Sequence, residues 1–179
     1  MLERLQGIIP KEKGKEIPLP KIKFNRDLKD EPYTVEVNPE KIGNLLRNFY
    51  VPTRQIGRLK ITIQKERLYG PFGRETNGIY NGDNKITLST YHTWYEVSSS
   101  IKDTFMNAVL QHELGHLIDF YTLFPLKPYE EIDYYKHPEY ELFNPILEHR
   151  AYDYYDKIEE SRSGEGLINL VPKSLSQQK

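Results

Sequence analysis

The fold turns on residues 101–123, IKDTFMNAVLQHELGHLIDFYTL. Apolar residues recur there at helical spacing, with Ser100 ahead and Pro125 behind. The stretch therefore predicts a helix from about Ile101 to about Leu123. Ser100 with Asp103 three residues on resembles a capping box. Phe105, Val109, His112, His116 and Asp119 fall near one face, and Leu110, Leu114, Leu117 and Tyr121 along another. A helix that is apolar on two sides belongs at the centre of its domain.

Within this helix, His112-Glu113-Leu114-Gly115-His116 has the form HExxH. Residues four apart lie one above the other on a helix face, so both imidazoles can bind one zinc ion from the same side. Glu113 is turned by about 100° from His112, which sets its carboxylate beside the metal, where it can take a proton from water. A hydrolytic zinc site needs a third protein ligand and one open position. The chain has no cysteine, so that ligand is His, Glu or Asp. Asp119 lies seven residues past His112, about 10 Å along the axis, too far to share the ion. Its expected role is to accept a hydrogen bond from a ligand imidazole, or to form a salt bridge. Position 122 is threonine, so the third histidine of HExxHxxGxxH is missing. Asn144-Pro145 predicts the start of a later helix running to about Glu160, and Glu148 in its first turn is the leading third ligand. Ala151, on the same side, lets two helices approach closely. His149 is the next candidate, followed by Asp153, Glu141 and His137.

Moving outward, Asn38-Pro39-Glu40 caps a helix carrying Ile42, Leu45, Leu46 and Phe49, which Pro52 stops. RLKITIQ (58–64) alternates apolar and polar residues and predicts a half-buried strand. GIYNGDNKITLST (78–90) predicts a hairpin turning at Asn81–Asn84, with Lys85–Ser89 as its second strand. Pro10, Pro18, Pro20 and Pro32 break residues 1–32 into an expected extended or partly disordered arm, with one strand near Ile22–Phe24. Residues 33–163 are then the domain, of α+β class, and 164–179 a loosely docked tail. With 25 Lys and Arg against 26 Asp and Glu, the net charge of −1 argues against a dedicated nucleic-acid binder. The lack of cysteine removes disulfides, thiol nucleophiles and iron–sulfur clusters. No apolar run approaches the roughly 18–20 residues of a membrane helix, so no membrane partner is expected. MLERLQGIIPKEKGKE has no apolar leader, which makes a cytoplasmic or intracellular location the default expectation.

The segments NGIYNGDNKITLST, HELGHLIDFY and NPILEHRAYDYY together resemble the zincin metallopeptidases over roughly residues 39–160. The likeness is to the gluzincins, in which a glutamate on a later helix completes HExxH. HELGHLIDFY is similar to the HExGHxxDxY-type segment of the anthrax lethal factor-like and pro-pro endopeptidase-like families. The resemblance implies a compact zincin-like domain with a small, mostly antiparallel or mixed sheet. It implies one Zn2+ ion on His112, His116 and Glu148, with Glu113 as general base. It also makes Lys85–Ser89 the sheet edge beside the cleft, to which a peptide substrate would add as a strand. A tyrosine before the liganding glutamate would stabilise the oxyanion. Tyr140 is the nearest match, and Tyr135, Tyr154 and Tyr155 compete with it. Tyr152, not aspartate, stands four residues after Glu148, a departure from the thermolysin-like pattern. The implied function is a zinc-dependent endopeptidase acting on a peptide or protein. The alternative is a zincin-like binding or structural module that keeps metal without turnover, and the intact Glu113 speaks against it. Loops 90–100 and 121–144, with Trp94, Tyr95 and Tyr129, are expected to shape the cleft.

Overall fold

The computed structural model describes residues 18–25, 28–29, 31–70, 73–95, 97–98, 101–123 and 140–173, with the backbone alone at 94–95, 123 and 140–144. The chain opens with β1 (Lys21–Phe24) and β2 (Tyr33–Val37), then α1 (Pro39–Asn48) and the single turn α2 (Thr53–Ile56). As its sequence predicts, α1 is capped by Asn38, whose side chain accepts from the Lys41 N–H at 2.9 Å. Its buried stripe is Ile42, Leu45 and Leu46.

Next come β3 (Lys60–Gln64), the short β4 (Leu68–Tyr69) and β5 (Glu75–Thr76), β6 (Gly78–Tyr80) and β7 (Lys85–Ser89). Ile61 and Ile63 of β3, and Ile86 and Leu88 of β7, are fully buried, as the alternation requires. The main sheet has the order β1-β3-β7-β6. β1, β3 and β7 run parallel, and β6 is antiparallel to β7. The sheet is therefore mixed and the domain is α+β.

Lys85–Ser89 was expected at the sheet edge, but it lies inside the sheet. β3 pairs along one side of it, and the hairpin folds β6 onto the other, so among the described residues Gly78–Tyr80 is the edge strand on that side.

α3 (Tyr91–Tyr95) leads to α4 (Lys102–Leu123), which packs against α5 (Tyr140–Glu160), β6, β7, α3 and β8 (Ile168–Pro172). Met106, Leu110, Leu114, Leu117 and Ile118 of α4 are buried to 1% exposure or less, which gives this helix the central place its two apolar faces predict. Ser100, its expected cap, lies outside the described residues. α5 starts at Tyr140 and not at Asn144, and Pro145 lies inside it. Pro145 is the sixth residue of the helix, past the four N–H groups that lack an internal partner, so the helix forgoes one bond there, the one to the residue 141 carbonyl.

Residues 21–24 of the expected arm form β1. Residues 168–172 of the expected tail form β8, antiparallel to β2. Leu167, Ile168 and Leu170 are buried. Two polar residues of α4 hold that segment. The Asn107 side chain accepts from the N–H groups of Leu167 (2.9 Å) and Ile168 (3.1 Å), and Asp103 accepts from the Leu170 N–H at 2.6 Å. The packed unit thus includes chain on both sides of 33–163. No helix among the described residues is long and apolar enough to cross a membrane.

Candidate metal centre

α4 brings His112 and His116 to one face, with their ring centroids 4.8 Å apart. α5 runs antiparallel beside it. Asp119 pairs with Arg150, Gly115 lies against Ala151, and Gln111 and Ile158 both adjoin Gly164. This register presents Glu148 to both imidazoles. Its Oε2 is 3.1 Å from His112 Nε2, and its Oε1 is 3.5 Å from His116 Nε2. The three donor atoms lie within 4.8 Å of one another, a group that can hold a metal ion. Two imidazole nitrogens and a carboxylate oxygen suit a borderline divalent ion. His112 Nδ1 is buried with no hydrogen-bond partner among the described residues, so the ring's polar contacts are all made at Nε2, toward Glu148. Hydrogen bonds from His112 and His116 hold the Glu148 carboxyl well below the ordinary carboxylate range. Burial opposes a charge on His116, but the bond to Glu148 and the nearby carboxylates of Glu113, Glu148 and Asp119 outweigh it and raise its pKa.

The other proposed ligands stay apart. His149 and Asp153 are exposed on α5, and neither joins the group. The side chain of Glu141, and His137 altogether, lie outside the described residues. Asp119 does not receive an imidazole hydrogen bond. It is 3% exposed and takes the Arg150 guanidinium in a fork, with Nε–Oδ1 at 2.8 Å and Nη2–Oδ1 at 2.7 Å. Of its two expected roles it fills the salt bridge, which ties the last turns of α4 to the segment carrying Glu148.

Glu113 is 6% exposed and faces β6. Burial pushes its carboxyl above the ordinary range, opposed by the two imidazoles and by the Tyr80 backbone N–H that donates to it. Gly78 makes room for it: a β-carbon there would stand 2.7 Å from Glu113 Oε1 and 2.8 Å from its Cγ.

No family model, curated protein or solved structure matches this chain. What the site can do is therefore read from its own geometry. The group opens into a cleft of about 570 Å³. One wall is β6 with Thr76 and Asn77, a second is Phe105, Ala108 and Val109 of α4, and a third is Tyr152 and Tyr155 of α5. Odd-numbered residues of β6 bond inward, as Asn77 C=O with the Ser89 N–H and the Asn81 N–H with Lys85 C=O show, so the peptide groups of Gly78 and Tyr80 turn away from β7.

Of the expected oxyanion donors, Tyr155 reaches the cleft, whereas Tyr154 packs edge-on against Phe49 with centroids 6.1 Å apart. The Tyr140 side chain and Tyr135 lie outside the described residues, as do Tyr129 and the side chains of Trp94 and Tyr95. Tyr152, noted in the sequence as the residue four past Glu148 but not among the expected oxyanion donors, places its ring 4.5 Å from that of His112. The i+4 and i+7 positions of Tyr152 and Tyr155 relative to Glu148 were the signal that both share its face.

Proposed function

We propose that the chain is a zinc-dependent endopeptidase of zincin type. The observation that carries this reading is the convergence of two imidazoles and a carboxylate within 4.8 Å, beside a buried second carboxylate and the strand that ends the sheet among the described residues. His112, His116 and Glu148 would hold the ion, the His2Glu donor set found in hydrolytic zinc sites. Bound there, zinc supplies Lewis-acid polarisation of a carbonyl and makes a coordinated water acidic enough to lose its proton near neutrality.

The chain's own residues do the rest. β6 offers the outward N–H of Gly78 and the carbonyls of Gly78 and Tyr80 to an extended peptide, which aligns the peptide along the cleft. Glu113, held by the Tyr80 N–H, accepts the proton of the attacking water at its carboxylate and returns it to the leaving amine nitrogen. Its burial raises its basicity above that of a solvated glutamate, which suits it to both transfers.

The test uses the purified, zinc-loaded chain and a mixed peptide library. Chelator-sensitive internal cleavage is expected. Glu113→Gln should keep zinc and lose about 10²–10⁴-fold in rate. Cleavage that persists in chelator, or at the wild-type rate in Glu113→Gln, overturns the reading.

A further inference from the structure

β4 and β5 form a hairpin at the lip of the cleft, in the register Leu68↔Thr76 and Tyr69↔Glu75. Its turn is fixed by the Gly70 N–H bond to Arg74 C=O at 2.8 Å and by Gly73, whose φ of 68° lies in the left-handed region. The hairpin runs directly into the edge strand β6, so Arg74 is held at a set place along the cleft wall.

Among the described residues, the charges that line this cleft are Arg74, Glu75, His112, Glu113, His116 and Glu148. His112, His116 and Glu148 form the metal group, and Glu113 lies beside it. Glu75 is taken twice, by Arg67 (Nε–Oε1 3.2 Å) and by His92 (Nε2–Oε1 3.1 Å). Arg67 is itself committed, since it also donates to the Tyr91 hydroxyl at 2.9 Å and lies over that ring. Arg74 is exposed and makes no ion pair with any described residue. It is the one lining charge among the described residues that is left without a counter-ion, and a guanidinium fork matches a carboxylate.

We infer that Arg74 selects peptides bearing a carboxylate at a fixed distance from the cleaved bond. This rests on the peptidase reading and names its substrate class, acidic peptides. Arg74 precedes Gly78, which adjoins Glu113, by four residues. Extended chain covers at most about 13 Å in that span, so the carboxylate lies about two to four residues from the cleaved bond. It is either an Asp or Glu side chain or the C-terminal carboxylate of the peptide.

The test walks a single glutamate through acetylated, amidated octapeptides. Two measurements are made: cleavage by the zinc-loaded chain, and binding by fluorescence anisotropy to the zinc-loaded Glu113→Gln chain. One position should be preferred. At that position Arg74→Gln should weaken binding and kcat/KM by about 5- to 20-fold, and leave a glutamate-free peptide within about twofold. Arg74→Glu should move the preference to lysine or arginine, and added salt should shrink the effect. If the C-terminal carboxylate is the source, the Arg74 effect appears only with peptides left unamidated. A preference absent from the wild type, with amidated and free-acid peptides alike, overturns the inference, and so does one that persists in Arg74→Glu. Binding that depends on Arg74 without any cleavage upholds the carboxylate contact and ends the peptidase reading. Cleavage without dependence on Arg74 does the reverse.

Discussion

Gly115 of α4 lies directly against the backbone of Ala151 of α5: a β-carbon on Gly115 would stand 2.6 Å from the Ala151 carbonyl oxygen and 3.4 Å from its α-carbon. Backbone has no rotamer by which to give way, so any side chain at position 115 must push the helices apart. The cost falls on the metal group, because Gly115 adjoins His116 and Ala151 is one turn from Glu148. Gly115→Ala should lower stability by about 1–3 kcal/mol. It should also weaken metal binding about 10- to 100-fold, as loss of a ligand's support does. A competition titration against a chromophoric chelator, alongside thermal melting, checks both. Lowered stability with unchanged affinity would show that the two helices are not the clasp.

Gly78 does for the proposed base what Gly115 does for the proposed ligands. A β-carbon at position 78 would meet Glu113 Cγ at 2.8 Å and Val109 Cγ1 at 2.9 Å. Gly78→Ala should therefore swing the Glu113 carboxylate out of line while leaving His112, His116 and Glu148 in place. The expected outcome is wild-type zinc content with kcat lowered about 10- to 100-fold, as for a misplaced general base. Zinc lost in step with rate would contradict this division between base and ligands.

These contacts mark the limit of what the sequence makes legible. His112 and His116 are readable because one helix fixes their relation, and Glu148 because it falls near the predicted start of the next helix, one turn from Ala151, where two helices can approach closely. Asn38-Pro39 and the alternation of 58–64 are equally local signals. The edge of the sheet is not local. The two strands of the hairpin read alike, and β7 becomes interior only because β3, more than twenty residues away, pairs with its free side in parallel. The last strand was missed for a related reason. What satisfies its N–H groups is Asn107 and Asp103, some 60 residues earlier on α4. Pro145 misled in a third way. The motif that opens many helices stands here in the second turn of one. At the site, Gly78 reads only as a hairpin residue, and nothing nearby in the chain announces its contact with Glu113.

The pair of Asp119 and Arg150 offers a second route to Glu148, the proposed third ligand. Asp119 is buried, and Arg150, two residues after Glu148, holds it with a fork. Removing one partner leaves the other without its counter-charge, which costs more than the pair contributes. Arg150 is partly exposed, so the expected loss for Asp119→Asn is about 1–3 kcal/mol, below the range for fully buried pairs. Replacing both, as Asp119→Leu with Arg150→Met, should restore most of that stability. Metal affinity should recover with it, because the role is to position α5 and not to ligate. Chemical denaturation and zinc titration of the two single variants and the double variant form the cycle. Additive losses in the double variant would mean the two side chains act independently.

The metal-free protein should depend on pH in the opposite sense to the metal-loaded one. The pKa of His116 is raised above its ordinary 6.5, so its pairing with Glu148 is fully present below about 6.5 and is lost as pH rises through the raised value. Glu148 is lowered from its ordinary 4.5, so its contribution is present above about 4.5 and lost only in stronger acid. The unliganded cluster therefore contributes most between these two ordinary values and fades toward alkaline pH. A metal ion must displace the proton from His116, so its affinity rises over the same interval in which the ion pair weakens. Between pH 6 and 8.5 the difference in Tm between zinc-saturated and chelator-treated protein should widen steadily. Calorimetric titration near pH 6.5, in buffers of different ionisation heat, should find protons released as the ion binds. A constant Tm difference and no proton release would mean that His116 does not enter the coordination sphere.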